Sequence, residues 1–177
     1  MFKFAIIKIL TMNTNNVYLK SAQSEFHRYK SLGEKAIEQL ESDQLFFANN
    51  DDSNSIAVIV KHMNGNMLSR WTDFLTTDGE KSWRKRDAEF ENTFKDKQEV
   101  LRQWEEGWAC VFAAIDSLND EQLSTTIYIR NEAHTVIEAI NRQLTHYAYH
   151  VGQIVFVAKQ LKKGEWNTLS IAKNRSK

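Results

Sequence analysis

Two histidines stand four residues apart in the segment His146-Tyr-Ala-Tyr-His150. In an α-helix, residues at this spacing lie one turn apart on the same face, with Cβ atoms about 6 Å apart. Two imidazoles in that arrangement can bind one divalent ion, and zinc or nickel suits nitrogen ligands of this kind. The pair alone is a weak signal, because histidines at this spacing also occur at solvent-facing or packed positions.

A third histidine, His62, strengthens the prediction of a metal site. It lies in the segment Lys61-His-Met-Asn-Gly-Asn66, where Gly65 would let another helix approach closely. With about 100° of rotation per residue, all three histidines fall on the flank of the apolar stripe of their helix, where a cleft between two helices would lie. We therefore predict that His62, His146 and His150 bind one divalent metal ion.

This set of three imidazoles leaves one coordination position free, which is typical of catalytic sites. Structural zinc sites are usually closed by four protein ligands, often cysteines, and Cys110 is the only cysteine in the chain. A water or thiol bound to the ion at the free position would have a lowered pKa and would supply a nucleophile near neutral pH. The predicted catalytic group is therefore that bound water or thiol, and the sequence does not assign a catalytic side chain.

Four further polar residues are candidates for contacts with the ligands or the cleft: Asn66, Arg142, Gln153 and His134. Gln153 lies three residues after His150, at a distance suited to orienting the imidazole. Arg142 either faces a substrate anion or a carboxylate behind the ligands, or is an ordinary exposed helix residue. His134 precedes a helix cap and is either structural or part of the rim of the cleft.

The helices that must position these residues are visible as four segments of helical periodicity. In each segment, apolar residues recur at spacings of three and four, which gives one apolar face suited to packing in a bundle. The segments span residues 16–41, 55–75, 97–118 and 136–161. Start signals agree with these bounds, since Ser55 and Asp96 can cap the second and third helices, and Thr135-Val-Ile-Glu138 is a capping box for the fourth.

The connections between these segments contain no proline. Residues 76–96 are charged and poorly periodic, and within them residues 83–86 either cover a ligand or form a solvated loop, which is the interpretation that the sequence favours. The run Thr125-Thr-Ile-Tyr-Ile-Arg130 is typical of an extended ribbon. We predict an all-α fold, a four-helix bundle, with a possible short extended ribbon before the last helix.

Composition limits the classes of function. Basic and acidic residues balance to a net charge of zero, which argues against a strong nucleic-acid binder, because such proteins neutralise phosphates with surplus basic charge. No stretch approaches the roughly 20 apolar residues of a membrane helix. The single cysteine indicates a reducing compartment, so we expect a cytoplasmic protein without nucleic-acid or membrane partners, in which Cys110 is a small core residue.

The length favours one domain with its own core. We predict the metal-binding bundle over residues 13–162 and a C-terminal tail over residues 163–177. The first ten of residues 1–12 are apolar except for two lysines, and polar residues follow. They are either an extra segment packed on the domain, or lie before the natural start of translation at Met12, which is the interpretation that we favour.

Several segments together resemble the DinB/YfiT-like superfamily of four-helix metalloproteins, in particular a subgroup carrying a domain of unknown function. The resemblance covers most of the chain from about Asn13 to Ser170. The segments that carry it are residues 54–62, Gly65-Asn66, residues 69–80, residues 134–146, residues 149–154 and residues 166–170.

This resemblance implies an up-down-down-up bundle, often homodimeric, with a histidine triad that holds zinc or nickel. His62, His146 and His150 match that triad one by one. Some members of the superfamily are thiol-dependent enzymes, including bacillithiol transferases and a mycothiol-dependent maleylpyruvate isomerase. The resemblance therefore favours a metal-dependent enzyme that transfers a low-molecular-weight thiol to a small electrophile. The alternatives are a metal-dependent hydrolase and a non-enzymatic, stress-associated metal-binding bundle.

Overall fold

The structure is a computed structural model that describes residues 14–171, with side chains described from Val17 onward. The predicted N-terminal extension and the last six residues of the predicted tail lie outside the described residues. The described part contains four α-helices and a short two-stranded sheet, as the sequence predicts. The elements are α1 Thr14–Glu38, α2 Ile56–Trp71, α3 Lys97–Asp116, β1 Thr126–Ile129, β2 Glu132–Thr135 and α4 Val136–Leu161.

Three of the helices begin where the capping residues predict. Ser55 Oγ accepts a hydrogen bond from the Val58 amide at the start of α2. Asp96 accepts from the Glu99 amide at the start of α3. At the start of α4, Thr135 and Glu138 form both hydrogen bonds of a capping box. Each of these bonds satisfies an amide that has no partner inside the first helical turn.

The second helix ends four residues earlier than the periodicity predicts. Trp71 is its last residue, and Asp73 has a left-handed backbone with φ of 47°. The Asp73 carbonyl then accepts hydrogen bonds from the amides of Thr76 and Thr77, which closes a tight turn. Phe74 is still buried. Phe74 therefore fits the apolar pattern because a residue of the turn is buried, and not because the helix continues.

The four helices share one apolar core. α2 packs most extensively on α3 and α1 on α4, while α2 also contacts α4 and α1 also contacts α3. Trp71, Trp104 and Trp108, which the sequence places in the core, are each at most 2% exposed. Cys110 is partly buried and packs against this core. Across residues 14–171, none of the helices has the length and apolar content that crossing a membrane requires.

A glycine lets α3 approach α2 closely. A Cβ on Gly107 would lie 2.8 Å from Met67 Sδ and 3.2 Å from the Cα of Asn64. Asn64 adds a side-chain hydrogen bond to the Gln103 carbonyl at 2.8 Å. This contact fixes α2, which carries His62, against the body of the protein.

Candidate metal centre

The structure brings the three predicted ligands together. His62 comes from α2, and His146 and His150 come from α4. One nitrogen of each lies within 4.8 Å of the others, and the Nε2 atoms of His146 and His150 are 3.1 Å apart. Zinc–nitrogen distances of about 2.0–2.1 Å place two nitrogens of a tetrahedral ion about 3.3 Å apart. The pair on α4 is close to this spacing, and with His62 within 4.8 Å the three imidazoles could hold one ion.

Hydrogen bonds orient two of the three rings. His62 Nδ1 lies 3.0 Å from Glu89 Oε2, and His150 Nδ1 lies 2.8 Å from Gln153 Oε1. Both oxygens are acceptors, so each Nδ1 carries a proton and each Nε2 keeps its lone pair for a ligand position. The candidate contact between Gln153 and His150 is thus present in the structure. His146 Nδ1 is buried and has no partner within the described residues.

The sequence did not identify Glu89, the carboxylate behind His62. Glu89 lies in a single-turn 3-10 helix, Asp87–Phe90, and its side chain is 8% exposed. Arg84 donates to both of its oxygens, with Nε–Oε1 at 2.7 Å and Nη2–Oε2 at 2.8 Å. Burial raises the pKa of Glu89, but the hydrogen bonds from Arg84 and His62 outweigh it and lower the pKa. A buried charged carboxylate therefore orients the imidazole of His62.

Gly65 was the sequence signal for this contact. A Cβ on Gly65 would collide with the carboxylate of Glu89. Gly65 predicted the approach of a helix, and the structure shows that the 3-10 turn of Glu89 approaches there instead.

The expectation of a solvated loop at residues 83–86 holds for Trp83, which is 55% exposed. It is wrong for Arg84, whose side chain is 2% exposed because its charge is compensated by Glu80 and Glu89.

Protonation of the histidines on α4 is disfavoured. Burial lowers the pKa of His146 to about 3, helped by His150 and His62 and by nearby arginines. Burial also lowers the pKa of His150, and His62 lowers it further, although the hydrogen bond to Gln153 acts in the opposite direction. Neutral imidazoles are the form that binds a metal ion. The surroundings thus hold these two side chains in their ligand form.

A polar cavity of about 210 Å³ opens beside the histidines. Its walls contain two of the three histidines, two amides and five arginines: His62, His146, Asn66, Gln143, Arg70, Arg84, Arg86, Arg130 and Arg142. A second cavity, of about 410 Å³, lies between the end of α4 and residues 47–54. No titratable side chain lines that second cavity, whereas the cavity beside the triad is lined by two histidines and five arginines.

The candidate residues Asn66 and Arg142 both line the cavity beside the triad. Asn66 is 6% exposed, and its Oδ1 accepts a hydrogen bond from the buried hydroxyl of Tyr147 at 3.3 Å. Tyr147 in turn accepts from Trp71 Nε1 at 3.0 Å. This series of hydrogen bonds occupies the side-chain oxygen of Asn66 and leaves its amide nitrogen for a ligand. His134 lies on β2 opposite Ile127 and is not among the residues that line the cavity.

The ribbon positions one of the cavity arginines. β1 and β2 pair antiparallel through a two-residue turn in which Arg130 and Asn131 have φ of 56° and 62°. Left-handed backbone at both central residues defines a type I′ hairpin turn. The Asp78 carboxylate accepts hydrogen bonds from the amides of Arg130 and Asn131 at 2.9 and 2.8 Å. Asp78 thereby fixes the turn that carries Arg130 to the cavity.

A model of the family described as "Protein of unknown function (DUF1572)" matches residues 13–175. The match spans the three histidines and all the residues that line the cavity beside them. No curated protein matches the chain. The description assigns no activity, so the function has to be argued from the geometry of the site.

Proposed function

Because the chain belongs to the DUF1572 family of proteins of unknown function, we propose from its own site that it is a divalent-metal-dependent enzyme of the DinB/YfiT-like type. The reaction that we propose is the transfer of a low-molecular-weight thiol to an electrophile. One observation carries the metal site: His62, His146 and His150 converge within 4.8 Å, and two of them line a polar cavity. The choice of thiol transfer rests on the resemblance to DinB/YfiT-like proteins.

The donor set fits a zinc or nickel ion. Imidazole nitrogens suit both metals, and three protein ligands leave a coordination position for water or substrate. Glu89 and Gln153 orient two of the rings, as partners of metal-binding histidines commonly do. His62 and His146 line the cavity and His150 does not, so a ligand would reach the ion from the cavity side.

The proposed chemistry requires a thiolate beside an electrophile. A divalent ion at the triad would lower the pKa of a coordinated thiol and so supply a sulfur nucleophile at neutral pH. In the transfer, sulfur forms a bond to carbon while the bond from that carbon to a leaving group such as chloride breaks, and the thiol proton passes to water. The residues of the cavity would hold the electrophile near the histidines and exclude competing water.

The metal is tested by elemental analysis of purified protein, followed by titration with zinc and nickel. We expect one ion per wild-type chain and a large loss of binding in His146→Ala. His27→Ala is the matched control. His27 is an exposed histidine of α1 that stacks on Phe112 and does not belong to the triad. Equal metal content in wild type and His146→Ala would contradict the proposal.

The reaction is tested by offering zinc- or nickel-loaded protein bacillithiol-like thiols with chlorinated or epoxide electrophiles. The expected product is a thioether adduct, detected by its mass, that forms only with the metal and is lost in His146→Ala. Turnover without added thiol would instead support a metal-dependent hydrolase. A strong fall in melting temperature on metal removal, without any turnover across the panel, would support a metal-stabilised bundle without enzymatic activity.

We also propose the up-down-down-up arrangement of the DinB/YfiT-like bundle and a homodimer in the cytoplasm. The neighbour relations support the arrangement, since α1 packs most extensively on α4 and α2 on α3. Light scattering coupled to size-exclusion chromatography tests the dimer, and a mass of one chain would contradict it.

A further inference from the structure

The cavity beside the histidines has an unusual charge. Five arginines line it, and no carboxylate is among its lining residues: Arg70, Arg84, Arg86, Arg130 and Arg142. Guanidinium groups stay charged at physiological pH and repel one another at close range. Their grouping around a small cavity therefore needs compensating negative charge.

The carboxylates of the protein compensate only part of this charge. Glu89 pairs with Arg84, and Glu80 is shared by Arg70 at 3.8 Å, Arg84 at 3.4 Å and Arg130 at 3.2 Å. Asp78 attracts Arg70 at longer range, but its oxygens accept hydrogen bonds from three backbone amides. Three carboxylates, of which Asp78 is the most distant, thus face five guanidinium groups, which leaves an excess of positive charge at the cavity.

Arg70 shows where this charge is least satisfied. It is 3% exposed, and its Nε and Nη1 atoms are buried with no hydrogen-bond partner within the described residues. Gln143, on the same cavity wall, is 2% exposed and has an unpartnered Oε1. Buried donors without partners are rare in proteins and point to a missing ligand or water. Because an amide can be turned by 180°, Gln143 offers the cavity either an acceptor or two donors.

We propose that this cavity binds an oxyanion, the carboxylate or phosphate group of a small substrate. Arg70 contributes its positive charge from the buried wall of the site, and Arg130 and Arg142 would contact the anion from the ribbon turn and from α4. The planar donor fork of arginine matches both oxyanions in a bidentate manner. The proposal deepens the proposed function and rests on it, because the anion would fix an electrophile beside the histidines.

The size of the cavity limits the ligand. About 210 Å³ is smaller than the roughly 300–1,000 Å³ of pockets that hold drug-sized molecules. The same cavity is lined by His62 and His146. A bound oxyanion would therefore lie next to the histidines, and the reacting atom of the same molecule would be only a few bonds from its charged group.

The experiment measures anion binding to metal-stripped protein by calorimetry, so that the probe cannot bind to a metal ion. The probes are malonate, inorganic phosphate and malonamide, which is the neutral counterpart of malonate. We expect malonate or phosphate to bind and malonamide not to bind. Arg142→Gln and Arg70→Met should each weaken binding roughly tenfold or more, the loss expected for a charge-assisted hydrogen bond.

Arg102→Gln is the control, because Arg102 is 69% exposed on α3 and pairs only with Glu99 among the described residues. It should bind the anion as the wild type does. Arg142 is exposed, so its variant tests the proposal without any change to a buried residue. Equal binding of malonate and malonamide, or unchanged anion binding in Arg142→Gln and in a folded Arg70→Met, would overturn the proposal.

Zinc titration of the same samples separates this inference from the proposed function. Stoichiometric zinc binding without oxyanion binding would overturn the inference and leave the metal-dependent enzyme in place. Oxyanion binding that Arg142→Gln weakens, in a protein that binds neither zinc nor nickel, would support the anion site and contradict the metal centre. Preference between phosphate and malonate indicates which of the two oxyanions the site binds better.

Discussion

The carboxylate of Glu89 fills the space in which a Cβ on Gly65 would stand. Gly65 lies inside α2, three residues after His62, and a glycine there costs about 1 kcal/mol of helix stability relative to alanine. The missing side chain is what allows the turn Asp87–Phe90 to approach α2 and Glu89 to reach His62 Nδ1. The conformational cost of Gly65 is therefore linked to the orientation of His62, a proposed metal ligand.

Replacing this glycine should weaken metal binding. In Gly65→Ala the new methyl group displaces the Glu89 carboxylate, and His62 loses its orienting partner. We expect zinc affinity to fall roughly 10–100-fold, the usual effect of losing such a partner, as measured by competition with a chelator. Gly152→Ala is the control, since a Cβ at Gly152 meets nothing within 4 Å. Wild-type zinc affinity in Gly65→Ala would contradict the role of this packing.

The pair of Glu89 and Arg84 should matter for stability as well as for the metal. Glu89→Gln removes one partner of a buried ion pair and leaves the Arg84 guanidinium, with a side chain only 2% exposed, short of negative charge. Losses of 3–5 kcal/mol are typical of this change. Because Glu80 also contacts Arg84, we expect about 3 kcal/mol, measured by urea unfolding of metal-free protein.

A double variant distinguishes the ion pair from general damage to packing. In Arg84→Met/Glu89→Gln the stranded cation is gone, so the double variant should be more stable than Glu89→Gln alone. Zinc affinity should stay low in both variants, because neither restores a carboxylate at His62. Simple addition of the two single losses in stability would argue against coupling between Arg84 and Glu89.

Asp78 gives a dependence of stability on pH. Burial raises its pKa, but hydrogen bonds from the amides of Asn131, Glu80 and Arg130 outweigh burial and lower the pKa. A pKa lowered in the folded state contributes stability that is present above the ordinary carboxylate range and is lost as pH falls through the folded value. Asp78→Asn should therefore be less stable than wild type at pH 7, by about 1 kcal/mol.

The stability gap between wild type and Asp78→Asn should shrink as pH falls below about 4, where the wild-type carboxylate becomes protonated. Urea unfolding at a series of pH values measures it. Asp51→Asn is the control, because Asp51 lies in an exposed turn. A gap that stays constant from pH 7 to about pH 3 would show that the charge of Asp78 contributes nothing.

The parts of the molecule that periodicity governs could be predicted from the sequence. A helix repeats its apolar positions at short range, so the four helices, their caps and the shared faces of His146 and His150 follow from local spacing. The end of α2 was misjudged because Phe74 continues the apolar pattern from a turn whose left-handed residue is Asp73, and an aspartate gives no clear signal of that conformation.

The supporting parts of the site could not be predicted in the same way. Glu89 and His62 are 27 residues apart, and Glu89 lies in a connection without periodicity, so their contact depends on tertiary packing. Arg70 and Arg130 each have the appearance of ordinary surface residues in the sequence. The two arginines line one cavity because the fold brings the end of α2 next to the hairpin turn, and this proximity is not visible in the sequence.

Arg70 should lower the stability of the ligand-free protein. Its buried Nε and Nη1 atoms have no partner among residues 14–171, and burial lowers the pKa of its guanidinium. Methionine fills similar volume without charge, and Glu80 keeps Arg84 and Arg130 as partners. Arg70→Met should therefore gain about 1–2 kcal/mol in the free energy of unfolding, seen as a higher urea midpoint at unchanged slope.

Arg102→Met is the control, because Arg102 is exposed, and it should change the free energy of unfolding by less than about 0.5 kcal/mol. A clear loss in Arg70→Met would mean that the protein itself satisfies this guanidinium, and the case for an anion in the cavity would weaken with it.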